Sequence, residues 1–121
     1  MKIVFRVDAS LKIGIGHVMR CLTLAKELKQ RNYEILFICK NLPGNIIARI
    51  NFPVSILPHY GHSQSNSFYT EWLGSSQEQD SEQTIKVIPQ NTDLIIIDNY
   101  ALDELWHKQL RPYTDKIMVI D

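Results

Sequence analysis

Five short apolar runs recur along the chain, at residues 2–8 (KIVFRVD), 33–39 (YEILFIC), 53–57 (PVSIL), 93–98 (DLIIID) and 116–120 (KIMVI). Their length and β-branched content predict strands. The run at 93–98 has four consecutive large aliphatic residues between carboxylates, the pattern of a central parallel strand buried on both faces. The run at 53–57 opens with Pro53, which suits a less central strand. Between the runs the period changes. Over residues 16–31, Leu22, Ala25 and Leu28 recur on one face while Lys26, Glu27, Lys29, Gln30 and Arg31 lie largely off it, predicting an amphipathic helix. The turn cluster NLPGN opens a short helix through Ile50, and further helices are predicted over 81–88, ended by Pro89, and 102–110, stopped near Pro112. Residues 58–83 are rich in Ser, Gln, Asn and His; so long a structureless loop is uncommon in a compact domain, so helical turns are expected around 68–73. Alternating strands and helices imply an α/β fold, a Rossmann-like parallel sheet covered on both sides in three layers.

Composition narrows this picture. A chain of 121 residues with 45% hydrophobic and 21% charged residues has the make-up of one folded globular domain. Thirteen basic residues balance thirteen acidic ones, so no overall field recruits polyanions, and nucleic acid is not an expected partner. Cys21 and Cys39 fall in a predicted helix and a predicted strand without paired spacing, so both are read as reduced core residues, and no metal or cofactor is expected. Only three apolar residues lie between Lys2 and Arg6, too few for the core of a signal peptide, and no run approaches the roughly 18 apolar residues of a membrane span. A cytoplasmic protein without a membrane partner is expected.

The candidate chemistry lies in SLKIGIGHVMR, residues 10–20, where the first strand turns into the first helix. Ligands of α/β proteins bind beyond the carboxyl ends of strands. A dinucleotide fingerprint fails because Met19 occupies the third glycine position and no acidic residue follows near Lys40; a Walker A loop fails because Gly16 precedes His17, not Lys. What remains is a glycine-rich turn with a histidine in the first helical turn. The positive end of the helix disfavours imidazolium, so His17 is expected to stay neutral and able to accept a proton. An ordinary capping or packing role for His17 is equally open. Arg20 could snorkel or pair with Asp8, and Gly14 and Gly16 could serve only a turn that needs positive φ.

The run FRVDASLKIGIGHVMRCLTLAKEL resembles the opening of the UDP-2,4-diacetamido-2,4,6-trideoxy-β-L-altropyranose hydrolases of pseudaminic acid biosynthesis. The shared pattern is carried by Arg6, Asp8, Ser10, Ile13, Gly14, Gly16, His17, Arg20, Leu24 and Ala25, and the blocks EWLGSSQEQDSEQT and LIIIDNYALDELWHKQLR look like the same family. The resemblance implies a GT-B architecture of two Rossmann-like domains, with residues 1–121 the N-terminal, sugar-side half and a C-terminal UDP-binding domain absent. The chain stops at Asp121, directly after an apolar strand, and a further domain is expected to follow it in a longer parent. The implied reaction is hydrolysis of the bond between the anomeric carbon and UDP, with inversion and without a metal. His17 would be the base; Asp8, Gly14, Gly16, Arg20 and Tyr100 would form the substrate site. Tyr100 could instead be an aromatic lid over its strand end, and Asp8 and Asp98 could be ligands or helix caps. Asn99 stands where some members have histidine. An acceptor domain of a GT-B glycosyltransferase and a non-catalytic Rossmann-like binding module are the alternative functions.

Overall fold

The computed structural model describes residues 1–59 and 72–120. Five strands, β1 (Lys2–Val7), β2 (Glu34–Lys40), β3 (Val54–Leu57), β4 (Thr92–Asp98) and β5 (Thr114–Val119), form one sheet in the order β3-β2-β1-β4-β5, with every pairing parallel. All five expected strands are present, with ends shifted by one or two residues. The middle position belongs to β1; β4 lies beside it, and Ile95, Ile96 and Ile97 are buried on both faces as the aliphatic run requires.

The helices α1 (Gly16–Gln30), α2 (Gln77–Val87) and α3 (Glu104–Leu110) pack against the strands. Helix α1 packs Val18, Cys21 and Ala25 onto Ile3, Phe5 and Val7 of β1, with Phe5 stacked on Phe37 of β2 at 4.9 Å. The opposite face carries Val4, Ile38, Ile95 and Ile97 against Trp106 and Leu110 of α3 and Ile85 of α2. These are the three layers of a Rossmann-like α/β fold. Cys21 and Cys39 are free and buried in the α1 layer; burial pushes both thiols up, Cys39 to about 12. Among the described residues no helix is long and apolar enough to cross a membrane.

Helix α2 begins at Gln77, four residues before the expected start, because Ser76 and Gln79 form a capping box: the Ser76 hydroxyl accepts from the Gln79 N–H, and the Gln79 side chain accepts from the Ser76 N–H. The helical turn expected around 68–73 lies mostly outside the described residues; residues 72 and 73 are helical.

Arg6 sits near the carboxyl end of β1 with no exposure, on the α2 side of the sheet. A buried guanidinium must be paired and hydrogen-bonded. Arg6 donates to Asp8 (2.7 Å) and, through Nε (3.1 Å) and Nη2 (2.5 Å), to Asp80 of α2. Asp80 also meets Lys40 Nζ at 2.8 Å and accepts from the Trp106 indole at 2.9 Å, while Lys40 donates to Ser75 at 2.7 Å. Two buried cations thus meet two buried anions, and the network ties α2 and α3 to the ends of β1 and β2.

Candidate functional site

In an open parallel sheet the ligand crevice forms where the strand order reverses, beyond the carboxyl ends of the two strands that lead away from each other. Here those strands are β1 and β4. The chain leaving β1 makes a compact turn: the Ser10 hydroxyl accepts from the N–H groups of Lys12 (3.2 Å) and Ile13 (2.9 Å), and Gly14 N–H donates to the Ser10 carbonyl at 2.8 Å. Gly14 closes this turn at φ +80°, a value glycine adopts without strain. Gly16 begins α1, where the expected helix over 16–31 starts, but it has no positive φ, so the turn alternative applies to Gly14 and not to Gly16, and a Cβ there would meet nothing within 4 Å. The helix starts with no side-chain cap and no acidic residue in its first turn.

His17 follows, in that first turn. Alternation along β4 sends Asp98 to the α1 side with Ile96, and the two side chains meet: His17 Nδ1 lies 2.6 Å from Asp98 Oδ1. Arg20, one turn on, donates to both carboxylate oxygens at 2.5 Å, and the Cys21 thiol approaches Oδ2 at 3.6 Å. Arg20 therefore pairs with Asp98 and not with Asp8, because Asp98 is the carboxylate on its side of the sheet. Nor does Asp98 cap a helix; Asp103 caps α3. Burial alone would push the Asp98 carboxyl up, but the hydrogen bonds from Arg20 and His17 outweigh it and hold it below the usual carboxylate range. An ionised carboxylate can only accept, so Nδ1 carries a proton toward Asp98, and Nε2 is the ring nitrogen left to offer a lone pair. The 3.3 Å approach of Arg20 Nη2 to Nδ1 is then two donors sharing one oxygen.

The ring is neither open to the crevice nor sunk among aliphatic side chains. The side chain is 13% exposed and lies edge-on to Tyr100 at 5.1 Å and to Trp72 at 6.2 Å, with Trp72 and Tyr100 6.0 Å apart. Tyr100 is 51% exposed at the tip after β4. The structure thus brings together His17, Arg20, Tyr100 and the first turn of α1. It does not bring Asp8 to them. Asp8 is turned inward on the Val4 and Arg6 side, where its carboxylate accepts from Arg6, from Lys40 N–H at 2.7 Å and from Asn99 Nδ2 at 3.1 Å. Its side chain has no exposure, because a buried Arg6 requires an anion beside it. Sequence reasoning missed Asp98 as the partner of His17 and missed Trp72, which stands in a serine-rich stretch without periodicity. Among the described residues no group of three or more His, Cys, Asp and Glu side chains is arranged to share an ion.

No family model matches the chain. Over 122 aligned residues it is 31% identical to an uncharacterized protein of Methanocaldococcus jannaschii, an alignment covering 100% of this chain and 22% of that protein. It is 34% identical over 102 residues to the UDP-2,4-diacetamido-2,4,6-trideoxy-beta-L-altropyranose hydrolase of Campylobacter jejuni, covering 84% of this chain and 29% of that enzyme. The chain spans less than a third of the length of these curated relatives. It is a Rossmann-like α/β chain similar, over most of its length, to part of a UDP-sugar hydrolase.

Proposed function

We propose that this chain is the sugar-side domain of a larger cytoplasmic nucleotide-sugar hydrolase of GT-B architecture, acting on a UDP-diacetamido-trideoxyhexose, with most of the UDP held by a second domain. The observation that carries the reading is the His17–Asp98 pair at the strand-order reversal, 2.6 Å apart and beside the exposed Tyr100. The similarity to a UDP-sugar hydrolase supports the substrate class. In this reading His17 Nε2 takes a proton from water while the water oxygen bonds to the anomeric carbon on the face opposite UDP. The bond from that carbon to the diphosphate oxygen breaks, its electron pair leaves with UDP, and the proton on His17 passes to solvent. UDP is a stable anion that needs little protonation, so one base suffices where glycosidases use two carboxylates. Asp98 holds the tautomer and steadies the imidazolium that forms, as the carboxylate does in serine hydrolase triads. The open space over Gly16 gives a ligand room to approach the start of α1.

The test is hydrolysis by the full-length protein in water enriched in heavy oxygen, with no acceptor sugar present. The label should enter the sugar, which is released first as the inverted anomer. Label in the phosphate of UDP, or UDP release that requires an added acceptor sugar, would overturn the reading.

A further inference from the structure

Asn99 is buried, 5% exposed, between Asp98 and the exposed Tyr100. Alternation past the end of β4 turns it away from α1, and there its amide is used at both ends. Nδ2 donates to Asp8 Oδ2 at 3.1 Å, and Oδ1 accepts from Ala101 N–H at 2.9 Å. The amide orientation follows from its partners, since a carboxylate only accepts and a backbone N–H only donates. Asp8 is itself held by Arg6 and by Lys40 N–H, each at 2.7 Å. The turn at 99–101 is thereby fastened to β1 and β2 from the face opposite α1, and the residues on either side of the fastening are those that meet His17: Asp98 by hydrogen bond and Tyr100 by ring contact.

We infer that Asn99 is a positioning residue: bonded to Asp8 and to Ala101 N–H, it fixes the turn that carries Asp98 and Tyr100 and so sets the orientation of His17. Only its activity readout rests on the proposed hydrolase reading. The position needs a donor and an acceptor on one short planar group. Ionised aspartate offers no donor and places a second carboxylate against Asp8; alanine offers neither.

The geometry supplies an exchange test. In the double variant Asp8→Asn with Asn99→Asp, the new amide at 8 can accept from Arg6 and Lys40 N–H and donate to the new carboxylate at 99, which still accepts from Ala101 N–H. Every hydrogen bond is restored with the polarity of one reversed. In the full-length protein each single variant, and Asn99→Ala, should lower kcat about tenfold, the scale of one lost buried hydrogen bond, with KM within about twofold; the exchange should recover most of the loss. Nitrogen NMR of labelled histidine, which needs no turnover, should show the His17 ring signals displaced in the single variants and in Asn99→Ala, and returned in the exchange. Displaced and restored signals without hydrolysis in any form would leave the positioning role standing and remove the hydrolase reading. Unchanged His17 signals in Asn99→Ala, or an exchange no better than its worse single variant, would overturn the inference.

Discussion

Asp98 accepts from His17 and Arg20 together, so the carboxylate keeps one cationic partner when the histidine is lost. In the full-length protein His17→Asn should therefore keep the local structure and substrate binding while turnover falls about 10²-fold or more, the usual scale for a general base. A kcat measurement alongside an independent binding measurement checks it; near-normal turnover would return His17 to a packing role. The two glycines separate in the same way. Gly14→Ala forces a side chain onto φ +80° and should cost about 1 kcal/mol in urea unfolding. Gly16→Ala places a methyl group in open space at a helical residue and should leave stability within about 0.5 kcal/mol, yet weaken ligand binding. Equal losses of stability in the two variants would show that Gly16 serves the turn and not the ligand.

Helix α2 is attached to the sheet through the buried charges around Asp80. Burial alone would raise the Asp80 carboxyl, but Arg6 and Lys40 outweigh it and hold it at about 2, against an ordinary 3.8. A depressed folded-state value means that the stability is fully present above the unfolded value and is lost as pH falls through the folded one. Between about pH 4 and pH 2 the protein should lose about 2 kcal/mol from this group. Asp80→Asn should remove that acid-dependent part and cost about 3–5 kcal/mol near neutrality, since it strands Arg6 and Lys40 in the interior without the anion they share. Urea unfolding across pH 6 to 2 reads both effects, and an unchanged acid slope in the variant would dismiss the network as their source. The inner strands β2, β1 and β4 could be read from the chain because a parallel strand buried on both faces is a nearly continuous apolar run, while the partly exposed edge strands β3 and β5 were legible from their short β-branched runs. The start of α2 was written as Ser76-x-x-Gln79 but hidden by its serine-rich surroundings. Long-range pairing left no such trace: His17 and Asp98 are 81 residues apart, Arg6 and Asp80 are 74 apart, and no periodicity reports which carboxylate a cation will find. The inward orientation of Asp8 is hidden for the same reason. A strand-end carboxylate in a shared motif looks the same whether it faces a ligand or a buried arginine, though the arginine two positions earlier in an apolar strand was a signal for the second.

For the whole molecule, a crevice lined from one side supplies only part of the contacts that bind and place a substrate. The 121-residue chain alone is therefore expected to release little UDP from a sugar nucleotide, with activity present in the longer protein. Efficient turnover by the isolated chain would contradict the two-domain proposal. Placing β1 in the middle of the sheet also has a consequence during synthesis. The strand is made first, yet the carboxylate that pairs with Arg6 from α2 follows 74 residues later, about 4–15 s at ribosomal rates of roughly 5–20 residues per second. Through that interval a segment reading KIVFRV has no β4 to pair with, and a bare apolar strand of this kind is a seed for aggregation. The charge on Arg6 is expected to act as its gatekeeper, keeping the nascent strand soluble until Asp80 is made; in the folded protein it forms the internal ion pair with Asp80. Arg6→Met should accordingly lower soluble yield during translation by more than refolding of the dilute purified chain would suggest, and equal deficits in the two measurements would rule this gatekeeping out.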